Sequence, residues 1–532
     1  MTVTVHATGA AAEAVARVVP QLVSDGVAGG ITSQDAGLWG AEARSEAAIR
    51  LGWTEAVAIS RSLVDDIVAL RERLHGQGVD RIVLSGMGGS SLAPEVIAAT
   101  YSVDLVVLDS THPKQVMGAI QELERTAVVV SSKSGSTVET DSHKRAFEAA
   151  FREAGIDPID RIVVVTDPGS PLDAAARADG YRVFNADPNV GGRYSALTAF
   201  GLVPSGLAGV DIDHLLDEAE SIALELAIDD DDNPGLVLGA VMAGTHPLRD
   251  KIGIVADGTH IVGFGDWAEQ LIAESTGKEG RGLLPVVLEL DAPELASPPS
   301  DLQVIRIVAD SRATEEVVEG EVEVTGTLGA LFLVFEYATA VAGRLLGINP
   351  FDQPDVEAAK AAARALIDDP APQSDPLFTD GTVDVRAAGL DLDGVSTVEA
   401  ALSALLDQVD DAGYVAVQVY LDRLAHPELA QLRALLAART GRPVTFGWGP
   451  RFLHSTGQYH KGGPANGVFL QVVGAGKSDL EIPDRPFTFG QLIRAQAAGD
   501  ASVLADHGRP VLTLTLGDIR GDGAGLLELA GR

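Results

Sequence analysis

The chain has no cysteine among its 532 residues. This absence excludes disulfide bonds, thiolate metal ligands and cysteine nucleophiles, and it fits a reducing compartment. Basic residues are also scarce, because 39 lysines and arginines stand against 76 acidic residues and leave a net charge of −37. A nucleic-acid partner requires a dense basic face, and no such run exists, so we expect none. An anionic ligand would need a local cradle of amides and a few cations against this overall repulsion.

Long apolar runs are missing as well. Asp, Glu, Arg or Gly interrupts each apolar stretch before it approaches the roughly 20 residues of a membrane span. The first 14 residues lack the basic start and the apolar segment of a secretory signal. We therefore expect a cytoplasmic protein without a membrane partner.

The pattern along the chain is that of an α/β protein with more than one domain. A hydrophobic content of 46% allows a sizeable interior, and the length exceeds what a single core accommodates. Between residues 80 and 185, short β-branched runs alternate with helical stretches, which is typical of a parallel sheet covered on both faces. Ligands of such sheets bind at the carboxyl ends of the strands. The predicted strands are Ile82–Leu84, Leu105–Leu108, Ala127–Val130, Arg161–Val165 and Tyr181–Phe184.

Two further blocks of the same kind follow. The second has predicted strands Ile252–Val255, Leu284–Leu288 and Val304–Val308 and a long helix at Leu328–Leu346. The third has predicted strands Val415–Leu421, Val444–Gly447, Phe469–Val473 and Val511–Leu516. We place an N-terminal helical extension at 1–49, sheet domains at 50–205 and 206–367, a proline-rich acidic linker at 368–380 and a smaller α/β unit at 381–532.

Two polar loops directly follow predicted strands of the first domain. The loop Ser85–Leu92 (SGMGGSSL) is glycine-rich, so it exposes backbone N–H groups at a helix start. Such a turn suits a phosphate, but it also occurs where close packing alone requires glycine. The loop Ser131–Thr140 (SSKSGSTVET) offers four hydroxyls and one lysine within six residues. A single hydroxyl is enough for a helix cap, so the surplus indicates an oxyanion ligand.

These loops resemble those of sugar-isomerase (SIS) domains, and further motifs resemble the glucose-6-phosphate isomerase family. The motifs are spread over about residues 80–460. They are Gly191–Ser195 (GGRYS), Gln270–Lys278 (QLIAESTGK), Gly282–Pro285 (GLLP), Phe351–Lys360 (FDQPDVEAAK) and Leu453–Gln458 (LHSTGQ). The resemblance implies two SIS-type doubly wound parallel-sheet domains plus the C-terminal unit. It also implies an aldose–ketose isomerase for D-glucose 6-phosphate and D-fructose 6-phosphate, acting as a homodimer without metal or organic cofactor.

The resemblance also implies roles for individual residues. Glu274 matches the base that moves a proton between C1 and C2, and Arg193 matches the arginine beside the enediolate. Lys360 and His454 match the lysine and histidine that serve ring opening and hydroxyl contacts. The remaining matches contact the phosphate, the sugar hydroxyls or ordered water: Gly89, Ser90, Ser132, Lys133, Ser134, Thr137, Gly192, Gln270 and Gln353.

General chemistry agrees with these roles. A carboxylate suits the transfer of a C–H proton next to a carbonyl, and a fixed cation stabilises the anionic intermediate. Histidine titrates near neutrality and suits a ring-opening acid. Each residue also has an ordinary structural interpretation: Arg193 as an ion-pair partner, Glu274 as a helix charge, Lys360 as an exposed lysine and His454 as a loop histidine.

The chain departs from the family pattern at three places. The histidine motif follows the lysine motif, as in the isomerase part of transaldolase–isomerase fusions, and this leaves His454 and His460 as alternatives for the ring-opening acid. Asp355 replaces the usual glycine, and the loop Ser131–Thr140 is rich in serine rather than threonine. Two other functions stay open, namely a dual isomerase that also accepts mannose 6-phosphate and a non-catalytic phosphosugar regulator. A transaldolase is excluded, because no room is left for its barrel.

Overall fold

The computed structural model describes residues 3–310, 312, 317–355, 375–476 and 478–532. The described strands form three sheets. They are β1 (Thr4–Ala7), β2 (Arg81–Ser85), β3 (Val106–Leu108), β4 (Thr126–Ser131), β5 (Ile162–Thr166), β6 (Arg182–Asn185), β7 (Lys251–Asp257), β8 (Leu284–Leu288), β9 (Leu302–Val308), β10 (Val322–Thr325), β11 (Phe378–Asp380), β12 (Val383–Ala388), β13 (Tyr414–Tyr420), β14 (Val444–Trp448), β15 (Gly467–Gly474) and β16 (Val511–Leu516).

Helices flank these sheets. The described α-helices are Gly9–Ser24, Val27–Thr32, Gly40–Ala47, Ala56–Ser60, Val64–Gly76, Leu92–Thr100, Pro113–Ala119, Val138–Glu153, Pro171–Ala178, Ala199–Ala208, Ile212–Leu226, Pro234–Ala243, Phe264–Thr276, Pro293–Ala296, Leu328–Leu346, Val398–Leu406, Leu432–Thr440, Gly457–Gly462, Phe489–Asp506 and Ile519–Ala530. Short 3₁₀ turns, including Gly88–Ser90, Gly192–Tyr194 and Arg451–His454, connect several of them.

The first sheet is entirely parallel, with strand order β3-β2-β4-β5-β6. The central strand β4 (TAVVVS) is buried along its whole length, as expected for a strand covered by helices on both faces. All five strands predicted here are present. The two polar loops therefore leave the carboxyl ends of the neighbouring strands β2 and β4.

The second sheet has the order β1-β10-β9-β7-β8 and is parallel except for β1, which pairs antiparallel with β10. The prediction that residues 1–49 are purely helical missed β1. The alanine-rich segment that follows dominates the local pattern, whereas a four-residue edge strand is specified by its pairing with distant residues such as Thr325.

The third sheet has the order β11-β12-β16-β15-β13-β14, in which β13 to β16 are parallel and β11 and β12 are antiparallel. The sequence predicted the four parallel strands and missed the two antiparallel strands β11 and β12. The strand Phe378–Asp380 lies inside the predicted linker, so the end of that linker was wrong. Residues 368–374 of the linker lie outside the described residues, and the domain boundaries as a whole stay a prediction.

Helix Leu328–Leu346 is the centre of the second domain. Its 19 residues are long and apolar enough to cross a membrane, so the expectation that no segment approaches a span was wrong for this helix by length and composition. However, 89% of its apolar window is buried, and it packs against helices Ile212–Leu226 and Pro234–Ala243. Its apolar character is therefore that of a core helix. The α/β class with mainly parallel sheets is confirmed.

Candidate functional site

The first polar loop packs backbone to backbone against the segment that carries Arg193. A Cβ atom at Gly89 would lie 1.9 Å from the carbonyl oxygen of Gly192. At Gly88, whose φ is +55°, a Cβ atom would lie 2.5 Å from the carbonyl oxygen of His454. Only glycine allows such approaches. The half-buried Ser90 ends this turn. The loop thus contacts both the GGRYS and the LHSTGQ segments at the carboxyl end of strand β2.

The second polar loop is organised by its own hydroxyls. The Ser132 hydroxyl lies 3.1 Å from that of Thr137 and accepts a hydrogen bond from the Gly135 amide at 3.2 Å. The Ser134 hydroxyl lies 2.8 Å from that of Ser136. Thr137 precedes helix Val138–Glu153, but its side chain makes no capping hydrogen bond. The loop therefore presents several hydroxyls that the helix start does not use.

Lys133, the cation of this loop, is held by protein groups. Its Nζ donates to Asp167 Oδ2 at 2.6 Å and to the Pro188 carbonyl at 3.3 Å. Burial raises the pKa of Asp167 against the opposing effect of the lysine charge. Since the side chain of Lys133 retains 25% exposure, its charge is partly shared with Asp167 and partly open to a ligand.

Arg193 and Glu274 lie side by side in the interior. Arg193 is 3% exposed, and its Nε donates to the Ser275 hydroxyl at 2.8 Å. Its remaining nitrogens donate to Gln353 Oε1 at 2.6 Å and to the Pro350 carbonyl at 2.7 Å. Its Nη1 lies 3.7 Å from Glu274 Oε1. The guanidinium is therefore fixed against a nearly buried carboxylate, as catalysis by a preorganised charge requires.

Gln270 links Glu274 to the C-terminal unit. Its Nε2 donates to Glu274 Oε2 at 3.0 Å and to the His454 carbonyl at 2.8 Å. Gln270 and Glu274 lie one helical turn apart on helix Phe264–Thr276, so their side chains share a face. The Oε1 atom of Gln270 is buried without a hydrogen-bond partner among the described residues. It is therefore available to a hydroxyl donor.

His454 contacts a carboxylate of the first domain. Its Nε2 lies 3.0 Å from Glu139 Oε1, and the Gln496 amide donates to the same oxygen at 2.6 Å. Glu139 follows the second polar loop in helix Val138–Glu153. The sequence analysis did not select it, because its position in a first helical turn is also typical of a helix-start charge. The sequence signal for Glu139 was its position two residues after Thr137, directly behind the hydroxyl-rich loop.

His460 lies elsewhere, in the core of the C-terminal unit. It is 2% exposed, its Nδ1 lies 3.0 Å from the Tyr414 hydroxyl, and its ring stacks on the ring of Tyr414. Burial lowers the pKa of His460 well below its ordinary value. The structure thus brings His454, not His460, next to Gln270 and the polar loops.

Two motif residues that received no role hold the FDQP turn. Lys278 is buried, and its Nζ donates to the Asn349 carbonyl at 2.6 Å and to Asp352 Oδ1 at 2.7 Å. Burial, with a further contribution from Arg193, lowers the pKa of Lys278 to about 8. Asp355 accepts from the Gln458 amide at 2.6 Å, and its own N–H donates to Gln458 Oε1 at 2.9 Å. This unusual aspartate therefore joins FDQP directly to the displaced LHSTGQ segment.

Lys360 lies outside the described residues, so its predicted role stays a prediction. Among the described residues, no group of three or more histidine, aspartate or glutamate side chains has the arrangement of a metal site. The contacts bring Arg193, Gln270, Glu274 and His454 together. The contact of His454 with Glu139 connects this group to the helix that follows the second polar loop.

Known proteins are similar to this chain in sequence. Residues 59–241 match the phosphoglucose isomerase family model. The chain is therefore similar to phosphoglucose isomerases over about a third of its length. It is 28% identical over 340 residues to a probable glucose-6-phosphate isomerase of Haloarcula marismortui, covering 54% of this chain and 78% of that protein. It is 29% identical over 389 residues to a glucose-6-phosphate isomerase of Rubrobacter xylanophilus, covering 58% and 88%.

A solved structure shows the same fold. A hypothetical protein from Thermus thermophilus superposes with a TM-score of 0.57 at 23% identity, covering 68% of this chain and 99% of that protein. The superposition includes nearly the whole of that protein, so the two chains share their fold over this length. About a third of this chain has no counterpart in that structure.

Proposed function

We propose that the chain interconverts D-glucose 6-phosphate and D-fructose 6-phosphate by ring opening and proton transfer through a cis-enediol(ate). The observation that carries this proposal is the pair Arg193 and Glu274, whose charged atoms lie 3.7 Å apart in the interior. Gln270 connects this pair to His454, and the first polar loop approaches the segments of both Arg193 and His454.

In this mechanism Glu274 is the base. Its carboxylate takes the proton from C2 of the open-chain aldose and returns it to C1, because a single base can reach both carbons from the same face of the planar cis-enediolate. Gln270 donates a hydrogen bond to one carboxylate oxygen and Arg193 approaches the other, so the carboxylate is oriented before substrate arrives. Arg193 also stabilises the negative charge of the enediolate, a contribution of about 3 kcal/mol by analogy with oxyanion donors.

His454 is the ring-opening acid in this proposal. The contact of its Nε2 with Glu139 fixes the ring and leaves Nδ1 to exchange a proton with the substrate. Glu139 also holds the imidazole in one orientation, as carboxylates do in catalytic histidine pairs. We also propose that Lys360 contacts the sugar ring or its hydroxyls. The support for this role is the resemblance of the FDQPDVEAAK motif alone.

The phosphate is held between the two polar loops. The backbone of Gly89, the hydroxyls of Ser90, Ser132, Ser134 and Thr137, and the partly open charge of Lys133 supply the donors. Hydrogen bonds to a dianion are stronger than those between neutral groups, so a few of them can offset the repulsion from a protein of net charge −37. The proposed hydrogen-bond partners of the sugar hydroxyls or of ordered water are Gly192, Gln270 and Gln353.

We further propose that the enzyme is a cytoplasmic homodimer that requires no metal, nucleic acid or membrane partner. The lack of cysteine, the acidity and the family's occurrence among glycolytic enzymes support this setting. Chemical cross-linking and sedimentation of the purified protein test the dimer.

The decisive assay measures isomerisation by the purified chain in EDTA with glucose, mannose and fructose 6-phosphates as separate substrates. We expect turnover of glucose and fructose 6-phosphates that Arg193→Ala lowers by about a hundredfold or more. Turnover of mannose 6-phosphate at a comparable rate would establish the dual isomerase instead. Binding without any turnover would establish a phosphosugar regulator.

A further inference from the structure

A cavity lies between the C-terminal unit and the first domain. Its volume is about 410 Å³, within the range of small-molecule sites. It is lined by residues at the carboxyl ends of β13, β15 and β16, among them Asp422, Gly474 and Gly517, and by His112 and Lys114 of the first domain. None of the residues assigned to the isomerase site lines it.

The position of this cavity follows from the topology of the third sheet. Strand β13 continues through helix Leu432–Thr440 to β14 on one side, whereas β15 continues through helix Phe489–Asp506 to β16 on the other side. The connections therefore leave the adjacent strands β13 and β15 in opposite directions. Open parallel sheets bind ligands in the crevice that this divergence creates at the carboxyl ends of the strands.

The cavity collects positive charge in an acidic protein. Lys114, Arg494 and Arg520 line it, and none of the three forms an ion pair within 4.0 Å with a described residue. Arg494 interacts with Asp479 only beyond this distance. In a chain of net charge −37, three cations outside close ion pairs at one cavity favour an anionic occupant. The carboxylates of Asp422 and Asp518 line the cavity as well and offer acceptors to hydroxyl groups of an occupant.

Two buried polar atoms at the cavity lack partners. Tyr420 is 2% exposed, and its hydroxyl makes no hydrogen bond with the described residues. The same holds for the buried Nδ1 atom of His112. Burial lowers the pKa of His112, although the nearby Asp422 opposes this effect. Buried polar groups are normally satisfied, so these two atoms indicate a ligand or water that bridges them.

The remaining wall is apolar. Four apolar side chains form it, namely Val473, Ile493, Leu516 and Ile519. A cavity with cations and an apolar wall suits a molecule with a phosphate at one end and an apolar ring at the other. The start of helix Ile519–Ala530 lies at the same place, and its preceding residue Asp518 makes no side-chain cap.

We propose that this cavity binds a small phosphate monoester that carries hydroxyls and an apolar ring, of the chemical class of a nucleoside monophosphate. Lys114, Arg494 and Arg520 hold the phosphate, and Asp422 accepts from a hydroxyl. The tyrosine hydroxyl and the imidazole of His112 complete the polar contacts, and the apolar wall takes the ring. This site is additional to the isomerase site and does not depend on its assignment.

Calorimetric titration with adenosine 5′-monophosphate and with ribose 5-phosphate tests the proposal. We expect the parent to bind one or both, and the double variant Arg494→Ala, Arg520→Ala to bind about tenfold or more weakly, because two charge-assisted contacts are lost. The double variant Arg44→Ala, Arg73→Ala removes two exposed arginines elsewhere and controls for the change in net charge. Its affinities should stay within about twofold of the parent.

The assay of fructose 6-phosphate turnover without added nucleotide verifies that the cavity variant is folded, since neither arginine belongs to the isomerase site. We expect the nucleotide to bind more strongly than ribose 5-phosphate, because only the nucleotide has a ring for the apolar wall, and equal binding of the two would overturn the nucleotide assignment. The proposal is overturned if the parent binds neither probe at millimolar concentration, or if the cavity variant binds both as the parent does.

Discussion

At the scale of single residues, Glu274 shows how the structure separates a catalytic interpretation from an ordinary one. A helix charge would face solvent, whereas this carboxylate is 6% exposed and is contacted by Gln270 and Arg193. The sequence motif selected Glu274 and Arg193 together, but no local pattern could indicate that residues 81 positions apart are 3.7 Å apart.

The first prediction concerns this carboxylate. Glu274→Gln should lower kcat by a factor of about 10³ or more and leave KM within a few fold, because the amide preserves the size but cannot accept the proton. Steady-state kinetics with fructose 6-phosphate measures both constants. Glu279→Gln, next to the same motif, is the matched control and should behave as the parent. A near-native rate for Glu274→Gln would remove it from the base role.

The second prediction distinguishes the two histidines. His454→Ala should impair turnover of the cyclic sugar strongly but spare proton exchange at C1 and C2 of the open chain, since we propose Glu274 for that step. His460→Ala should instead lower the free energy of unfolding by about 2–4 kcal/mol, because it leaves a cavity beside Tyr414. Its kcat per folded molecule should remain close to that of the parent.

Two measurements check the predictions for His454 and His460. Pre-steady-state turnover of cyclic and open-chain-enriched substrate reports the chemical step, and urea denaturation reports the stability. Glu139→Gln should reproduce part of the His454→Ala defect, because it weakens the hydrogen bond that fixes the imidazole. Equal losses on both substrate forms for His454→Ala, or a specific loss of ring opening in His460→Ala, would show that His454 is not the acid.

At the scale of elements, the sequence predicted every parallel strand except β10 and missed the antiparallel strands β1, β11 and β12. The strands Leu284–Leu288 and Val511–Leu516 and the helix Leu328–Leu346 have the predicted bounds. Buried parallel strands are continuous apolar runs, so their own residues specify them. Strands β1, β10, β11 and β12 are short or alternate with polar residues, and distant partners specify them instead.

The third prediction concerns the second polar loop. Replacing Ser132, Ser134 and Thr137 together by alanine should raise KM for the phosphorylated sugar by about tenfold or more, because several hydrogen bonds to a dianion are lost. Inorganic phosphate should compete in the parent and bind more weakly in the variant. The matched control is Ser142→Ala, whose hydroxyl donates within helix Val138–Glu153 to the Val138 carbonyl. Unchanged inhibition by phosphate would exclude the loop from the site.

At the scale of the whole molecule, the site exists only where three sheets meet. Glu139 and His454 are 315 positions apart, and Asp355 and Gln458 are 103 positions apart. The sequence analysis inferred that the C-terminal unit belongs to the site, because the LHSTGQ motif had moved there. It could not identify the partners of His454, since contacts at this separation leave no periodic signal in one sequence.

A buried charge cluster holds the C-terminal unit in place. Glu95 of the first domain accepts from Arg423 at 3.0 Å and forms an ion pair with Arg451. Asp109 lies 3.2 Å from Arg451 on the same side. Since Arg451 begins the turn Arg451–His454, this cluster also positions the proposed ring-opening acid.

The last prediction concerns the pH dependence of this cluster. Burial opposes the ionisation of Glu95, but Arg451 and Arg423 outweigh it and lower the pKa of Glu95 from 4.5 to about 2. A carboxyl whose folded pKa is lowered stabilises the fold above its unfolded pKa and loses that contribution as pH falls towards the folded value. Glu95→Gln should therefore lower the free energy of unfolding by about 2–3 kcal/mol at pH 7, and the difference from the parent should shrink as pH falls from about 4.5 towards 2. Urea denaturation across this range measures the difference, and Glu72→Gln, an exposed glutamate outside any ion pair of the described residues, is the control. A difference that stays constant from pH 7 to the acid limit would show that Glu95 acts by packing rather than by its charge.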